Sequence, residues 1–122
     1  TEVFIHHYEG KILNIHPALL PLFKGLDTHK RALEAGVRVH GCTVHFASCE
    51  LDGGPIVGQA VVPVVPTDTP EKLAARGLKL EHVLFPRCVH AVATGDVKLQ
   101  DGRVMMSAKT AQNLAVFDNS IE

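Results

Sequence analysis

Along the chain the spacing of apolar residues switches between every second position and every third or fourth, which predicts alternating strands and helices and no internal repeat. Residues 11–17, Lys-Ile-Leu-Asn-Ile-His-Pro, read as a short buried strand stopped by its proline. Side chains two apart on a strand point the same way, so Asn14 and His16 share one face where the strand ends. An apolar, proline-bearing loop from Pro17 to Gly25 follows. A short helix is then expected from Thr28, with Asp27 as its N-cap and Gly36 as its stop. Residues 41–47 alternate again, placing Cys42, Val44 and Phe46 on one side of a second strand and Thr43 and His45 on the other.

Ser48 to Pro55 form a loop punctuated by Gly53, Gly54 and Pro55. The run 56–65 reads as a third apolar strand, and Pro63 argues that its last part lies at an edge. Thr69 is expected to cap a long helix with Pro70 in its first position, and Leu73, Gly77, Leu80 and Leu84 recur at helical spacing to cover the sheet. Pro86 should kink or interrupt this helix, which can resume through Val89 and Val92 until Gly95 stops it. Residues 96–104 look like a hairpin turning at Asp101-Gly102. No period is convincing from Ser107 onward, so 1–106 is expected to be the folded unit and 107–122 an irregular tail. The layout is α/β.

A length of 122 residues allows one compact unit and no second complete domain. The net charge of -1, with no basic stripe, indicates neither nucleic acid nor an anionic membrane as a partner. No uncharged apolar run is long enough to span a bilayer, and Thr1-Glu2-Val3-Phe4 resembles no signal peptide. Without an initiator Met, the chain is expected to be a processed product, a single domain or part of a longer protein. Cys42, Cys49 and Cys88 are an odd set without C-x-x-C spacing, which fits reduced packing thiols in a cytoplasmic protein. Eight histidines invite a metal reading, but no H-E-x-x-H occurs and His6-His7 would face opposite ways if extended, so no metal is expected.

The chemistry worth following lies in three residues. An Asn amide is a fixed donor for a developing oxyanion, and His can donate or move a proton near neutral pH, so Asn14 and His16 together suit acyl chemistry. Asp52 adds a carboxylate at the end of a neighbouring strand, completing a set that could hold a carbonyl and carry away a proton. Each also has an ordinary reading: the first two can satisfy backbone at a strand end, and Asp before Gly-Gly-Pro can be a turn residue.

The order of motifs narrows this choice. Asn14-Ile15-His16-Pro17-Ala18-Leu19-Leu20-Pro21, then Gly25-Leu26-Asp27-Thr28-His29, Gly41-Cys42-Thr43-Val44-His45-Phe46 and Leu51-Asp52-Gly53-Gly54-Pro55 closely resemble the phosphoribosylglycinamide formyltransferase family of folate-dependent formyl enzymes. The match runs from about Tyr8 to about Val104. Formyltetrahydrofolate deformylases and methionyl-tRNA formyltransferases share the Asn, His and Asp trio, but Pro-Ala-Leu-Leu-Pro with Gly-Leu-Asp-Thr-His looks more like the purine enzyme.

The resemblance implies the formyltransferase fold, a Rossmann-like three-layer sandwich with a mixed, mostly parallel sheet, of which the chain would be the C-terminal half. It implies transfer of a formyl group from 10-formyltetrahydrofolate to the amine of glycinamide ribonucleotide, with hydrolytic deformylation or a non-catalytic folate-binding module as alternatives. Asn14, His16 and Asp52 would be catalytic. Ala47, Ser48, Cys49, Glu50, Leu51 and Asp52 would line the folate pocket, and Asn14 and Glu81 would meet the substrate. His29, Thr43 and His45 would stand behind the trio, although structural hydrogen bonding accounts for each of them equally well. Nothing in the chain resembles the family's glycine-rich phosphate loop. The missing N-terminal half would complete the sheet; without it an apolar face and a free edge are expected, poor stability or association follows, and a homodimer is one candidate assembly.

Overall fold

The computed structural model describes residues 10–118. His6, His7 and Tyr8 lie outside the described residues. The elements run β1 (Leu13–His16), α1 (Thr28–Ala35), β2 (Val39–Phe46), β3 (Ile56–Pro63), α2 (Pro70–Thr94), β4 (Lys98–Gln100), β5 (Arg103–Met105), α3 (Ala108–Asn113) and β6 (Ala115–Phe117). Four strands form one sheet in the order β1-β2-β3-β6, while β4 and β5 pair as a separate hairpin.

The β1/β2 and β2/β3 pairs are antiparallel and β3/β6 is parallel, so this stretch is mixed but not mostly parallel. Connection length explains the difference: a loop joins β2 to β3, whereas only the path from β3 to β6 carries a long helix that returns the chain to the same end of the sheet. Cross-strand register sets Asn14 opposite His45 and His16 opposite Thr43 on β2, and Thr43 opposite Gln59 on β3. These polar side chains therefore share one face. The alternate positions Cys42, Val44, Phe46, Ala60 and Val62 are buried on the other, against Leu73, Leu80, Leu84 and Cys88 of α2.

Thr69 caps α2 as expected, its side chain accepting the Lys72 N–H, with Pro70 at the start of the helix and Gly95 in a left-handed conformation at its end. The helix runs unbroken through Pro86, contrary to the expected interruption. Leu80 and Leu84 on one side of the proline and Cys88 and Ala91 on the other are all buried against the sheet, and this packing outweighs the lost backbone bond. Gly58 of β3 is what lets the helix come close, since a Cβ there would stand 2.9 Å from the Cys88 sulfur and 3.1 Å from Leu84 Cδ1.

Three local expectations are corrected and one holds. Asp27 occupies the N-cap position of α1 but makes no side-chain cap bond: it sits at φ 55, outside the extended conformation from which a capping side chain reaches the first turn. Pro63 stands where its expected edge position allows it: β3 is flanked by β2 and β6, but the proline lies beyond Val61, the last residue paired with β6, so among the described residues the strand's end has one free side. Residues 107–117 are not irregular, since Ser107 caps α3 through the Thr110 N–H and β6 then joins the main sheet. Three-residue strands and a six-residue helix are too short to show a period, and their order comes from pairing with β3. Cys42 and Cys88 are packing residues, but Cys49 is exposed in a loop.

Candidate active site

Pro17 ends β1 directly after His16, so the imidazole sits at the last position of the strand, where the chain leaves the sheet. Asp52 arrives from the loop after β2. That loop folds back over its own strand: Phe46 N–H donates to the Pro55 carbonyl at 2.9 Å, and a Cβ on Gly54 would overlap the Phe46 carbonyl, so only glycine allows the approach. Asp52 adopts φ 48, a left-handed conformation that Asp tolerates better than most residues. His16 Nδ1 and Asp52 Oδ1 then lie 3.4 Å apart, with side chains only 8% and 17% exposed.

The other atoms of this pair are fixed by one loop. His16 Nε2 stands 2.8 Å from the Phe23 carbonyl, which can only accept, so this nitrogen donates. Gly25 N–H donates to Asp52 Oδ2 at 2.9 Å. Each nitrogen of His16 thus faces an oxygen acceptor, and a ring carrying both protons has a partner for each. Asn14, two residues earlier on the same face of β1, is exposed. The arrangement offers a free amide donor beside a histidine–carboxylate pair at the rim of a sheet, the set of groups that can hold a carbonyl oxygen and move a proton.

The remaining predicted residues divide. Ala47 N–H continues the β1/β2 pairing to the Ile12 carbonyl at 2.8 Å. Ser48 Oγ accepts from Glu50 N–H at 3.2 Å, a local turn that leaves Cys49, Glu50 and Leu51 exposed beside Asp52, with Leu51 70% exposed. Thr43 is fully buried at hydrogen-bond distance from the loop after His16. His45 is buried opposite Asn14, with Nδ1 3.0 Å from the Phe46 carbonyl and Nε2 without a partner among the described residues. His29 packs edge-on against His40 at 5.1 Å between ring centroids, burial pushes its pKa down, and no described hydrogen bond joins it to His16 or Asp52. Glu81 is partly buried on α2, its carboxyl held above the usual range mainly by burial, and no described hydrogen bond or ion pair joins it to Asn14, His16 or Asp52.

Sequence reasoning missed Phe23 and Gly25, whose contributions are backbone atoms and carry no side-chain signature. It also missed Gln59, although a lone amide in the apolar run 56–65 was a readable signal. Among the described residues no group of three His, Cys, Asp or Glu side chains is placed to hold a metal ion, and no helix is long and apolar enough to cross a membrane.

The fold that carries this histidine–carboxylate pair is shared with known proteins. The profile of the formyl transferase family matches residues 1–89, and the chain belongs to that family. Its similarity is to one branch in particular: it is 42% identical over 109 residues to the phosphoribosylglycinamide formyltransferase of Escherichia coli, covering 89% of this chain and 51% of that one. It is also 54% identical over 96 residues to the trifunctional purine biosynthetic protein adenosine-3 of Gallus gallus, covering 79% of this chain and 10% of that protein. Among solved structures, the phosphoribosylglycinamide formyltransferase of Anaplasma phagocytophilum superposes with a TM-score of 0.88 at 45% identity, over 98% of this chain and 58% of the other. The chain therefore spans about half the length of the bacterial relatives it matches.

Proposed function

We propose that this chain carries the catalytic trio of a phosphoribosylglycinamide formyltransferase, a cytoplasmic enzyme of purine biosynthesis that moves a formyl group from 10-formyltetrahydrofolate to the amine of glycinamide ribonucleotide. The observation that carries the reading is the His16–Asp52 contact beside the exposed Asn14. The donor set fits a formyl-folate. Leu51, an exposed apolar side chain next to Asp52, can cover one face of a flat ring, and the backbone groups between Ala47 and Asp52 that are engaged neither in the β1/β2 pairing nor in the Ser48–Glu50 turn can hydrogen-bond the ring's edge. Glu81 is retained as the residue that meets the substrate ribose.

In this reading Asn14 donates from its amide to the formyl oxygen. As the amine nitrogen bonds to the formyl carbon, His16, carrying both ring protons toward Asp52 and the Phe23 carbonyl, stabilises the charge developing on that oxygen by its own positive charge. Asp52 holds the imidazole through Nδ1 and, through water, relays the proton from the attacking amine to the departing folate nitrogen as the old carbon–nitrogen bond breaks. The folate thus supplies the activated one-carbon unit and the chain supplies orientation, oxyanion stabilisation and proton movement. The free edge of β1, which pairs only with β2 among the described residues, is where strands of a longer domain would add.

The test is kinetic. In the complete formyltransferase domain carrying this sequence, Asn14→Ala is expected to lower kcat on the order of a hundredfold, as loss of an oxyanion donor does, with His16→Ala and Asp52→Ala at least as damaging. A near-normal rate for Asn14→Ala would remove it from the mechanism. Formate release independent of glycinamide ribonucleotide would make the enzyme a hydrolase instead.

A further inference from the structure

Neither Thr43 nor Gln59 reaches the rim of the sheet, yet together they fasten the one loop that grips both members of the catalytic pair. Residues 17–25 belong to no strand or helix, and three residues within five have positive φ: Phe23 at 53, Gly25 at 86 and Asp27 at 55. For a bulky residue such as Phe23 this conformation is uncommon and costs free energy, so something must hold it. Within the loop the backbone bonds only locally, from Ala18 N–H to the His16 carbonyl and from Leu22 N–H to the Leu19 carbonyl.

The anchors are side chains. Thr43, fully buried, donates its hydroxyl to the Ala18 carbonyl at 2.7 Å and accepts from Leu20 N–H at 3.1 Å. Gln59 Nε2 uses both protons, one toward the Leu20 carbonyl and one toward Thr43 Oγ1, each at 3.0 Å. The threonine hydroxyl is thereby used in full, as one donor and two acceptors, and a fully satisfied buried network admits one geometry. Downstream, Arg31 Nη1 ties the Lys24 and Leu26 carbonyls at 2.6 and 2.9 Å. Phe23, which holds His16, lies between these two fixed points, and Gly25, which holds Asp52, lies inside the second.

We propose that Thr43 and Gln59 are positioning residues for the His16–Asp52 pair, acting through the loop from Pro17 to Gly25; the kinetic part of this inference rests on the formyl-transfer reading. Thr43→Val keeps the shape of the side chain but leaves a buried N–H and a buried carbonyl unpaired, and Gln59→Leu removes the second anchor. Thr43→Ser keeps the hydroxyl and is the rescue variant.

Two measurements test it. In the complete formyltransferase domain without substrates, hydrogen exchange of the Gly25 amide is expected to quicken on the order of tenfold in Thr43→Val and in Gln59→Leu, with a moved His16 imidazole nitrogen signal, while Thr43→Ser stays near wild type. In the complete formyltransferase domain, kcat is expected to fall on the order of tenfold with KM for both substrates little changed, and serine is expected to restore it. Unchanged Gly25 exchange and His16 signals in folded Thr43→Val would overturn the proposal, as would an unchanged kcat. If Thr43→Val does not fold, Gln59→Leu, at a position only partly buried, decides by the same readouts. Absence of formyl transfer in the wild-type domain would sink the functional reading alone, because the exchange measurement needs no substrate.

Discussion

His40 gives a pH dependence large enough to measure. Its ring lies 2% exposed at the start of β2, edge-on to His29 of α1 at 5.1 Å and to Phe23 of the loop at 6.1 Å between centroids. The Pro17 carbonyl favours its protonated form, but among the described residues Nε2 has no partner. A charge there would lack solvent, and its neighbours His29 and His16 would repel it, so its pKa falls from 6.5 to about 4, with burial the main cause. A group whose folded pKa is depressed stays neutral in the native state and takes up a proton only on unfolding. The stability it preserves is therefore complete above pH 6.5 and is lost as pH falls toward 4. Linkage between these two values gives a loss of about 2 kcal/mol between pH 7 and pH 5.

Urea midpoints of wild type and His40→Phe, each at pH 7 and pH 5, isolate that amount. His29, also lowered by burial, acts in the same direction as His40 and is present in both proteins; Glu81, whose pKa is raised, acts in the opposite direction, again in both; Asp68, held below 3.8 by its bond to Arg76, contributes only outside this window. Wild type is expected to lose about 1 M more in midpoint than His40→Phe for an ordinary urea slope. Equal losses, or an NMR titration placing the His40 imidazole near 6.5, would refute the reasoning.

Two predictions concern the core. Leu84→Ala removes a fully buried side chain from the α2–sheet interface and is expected to cost about 2–5 kcal/mol in urea unfolding; a loss below about 1 kcal/mol would mean the helix can collapse onto the gap. Gly58→Ala places its Cβ 2.8 Å from the Leu114 carbonyl and 2.9 Å from the Cys88 sulfur, and is expected to destabilise by about 1–3 kcal/mol by forcing α2 and β6 outward. Cys88→Ala in the same chain should recover part of that loss.

The elements with a strong local signal were legible from the chain alone. Alternation in 41–47, the Thr69-Pro70 opening and leucine stripe of α2, and Asp101-Gly102, which turn with φ 53 and 73 between β4 and β5, all follow from rules that act within a few residues. Asn14 and His16 were likewise legible as a pair, because the strand period alone puts them on one face. What reached across the chain was not. The run from Ser107 carries no period of its own, and β6 became a strand only because β3 offered an unpaired edge. Pro86 reads locally as a break, but buried contacts on both sides of it carry the helix through. The approach of Asp52 to His16 depends on a loop whose backbone is held by Thr43, Gln59 and Arg31 from three different elements. Local patterning thus determined which residues could form strands, helices and candidate chemistry. Only the tertiary structure decided which of them meet, because those contacts join positions far apart in the chain through backbone atoms that every residue carries.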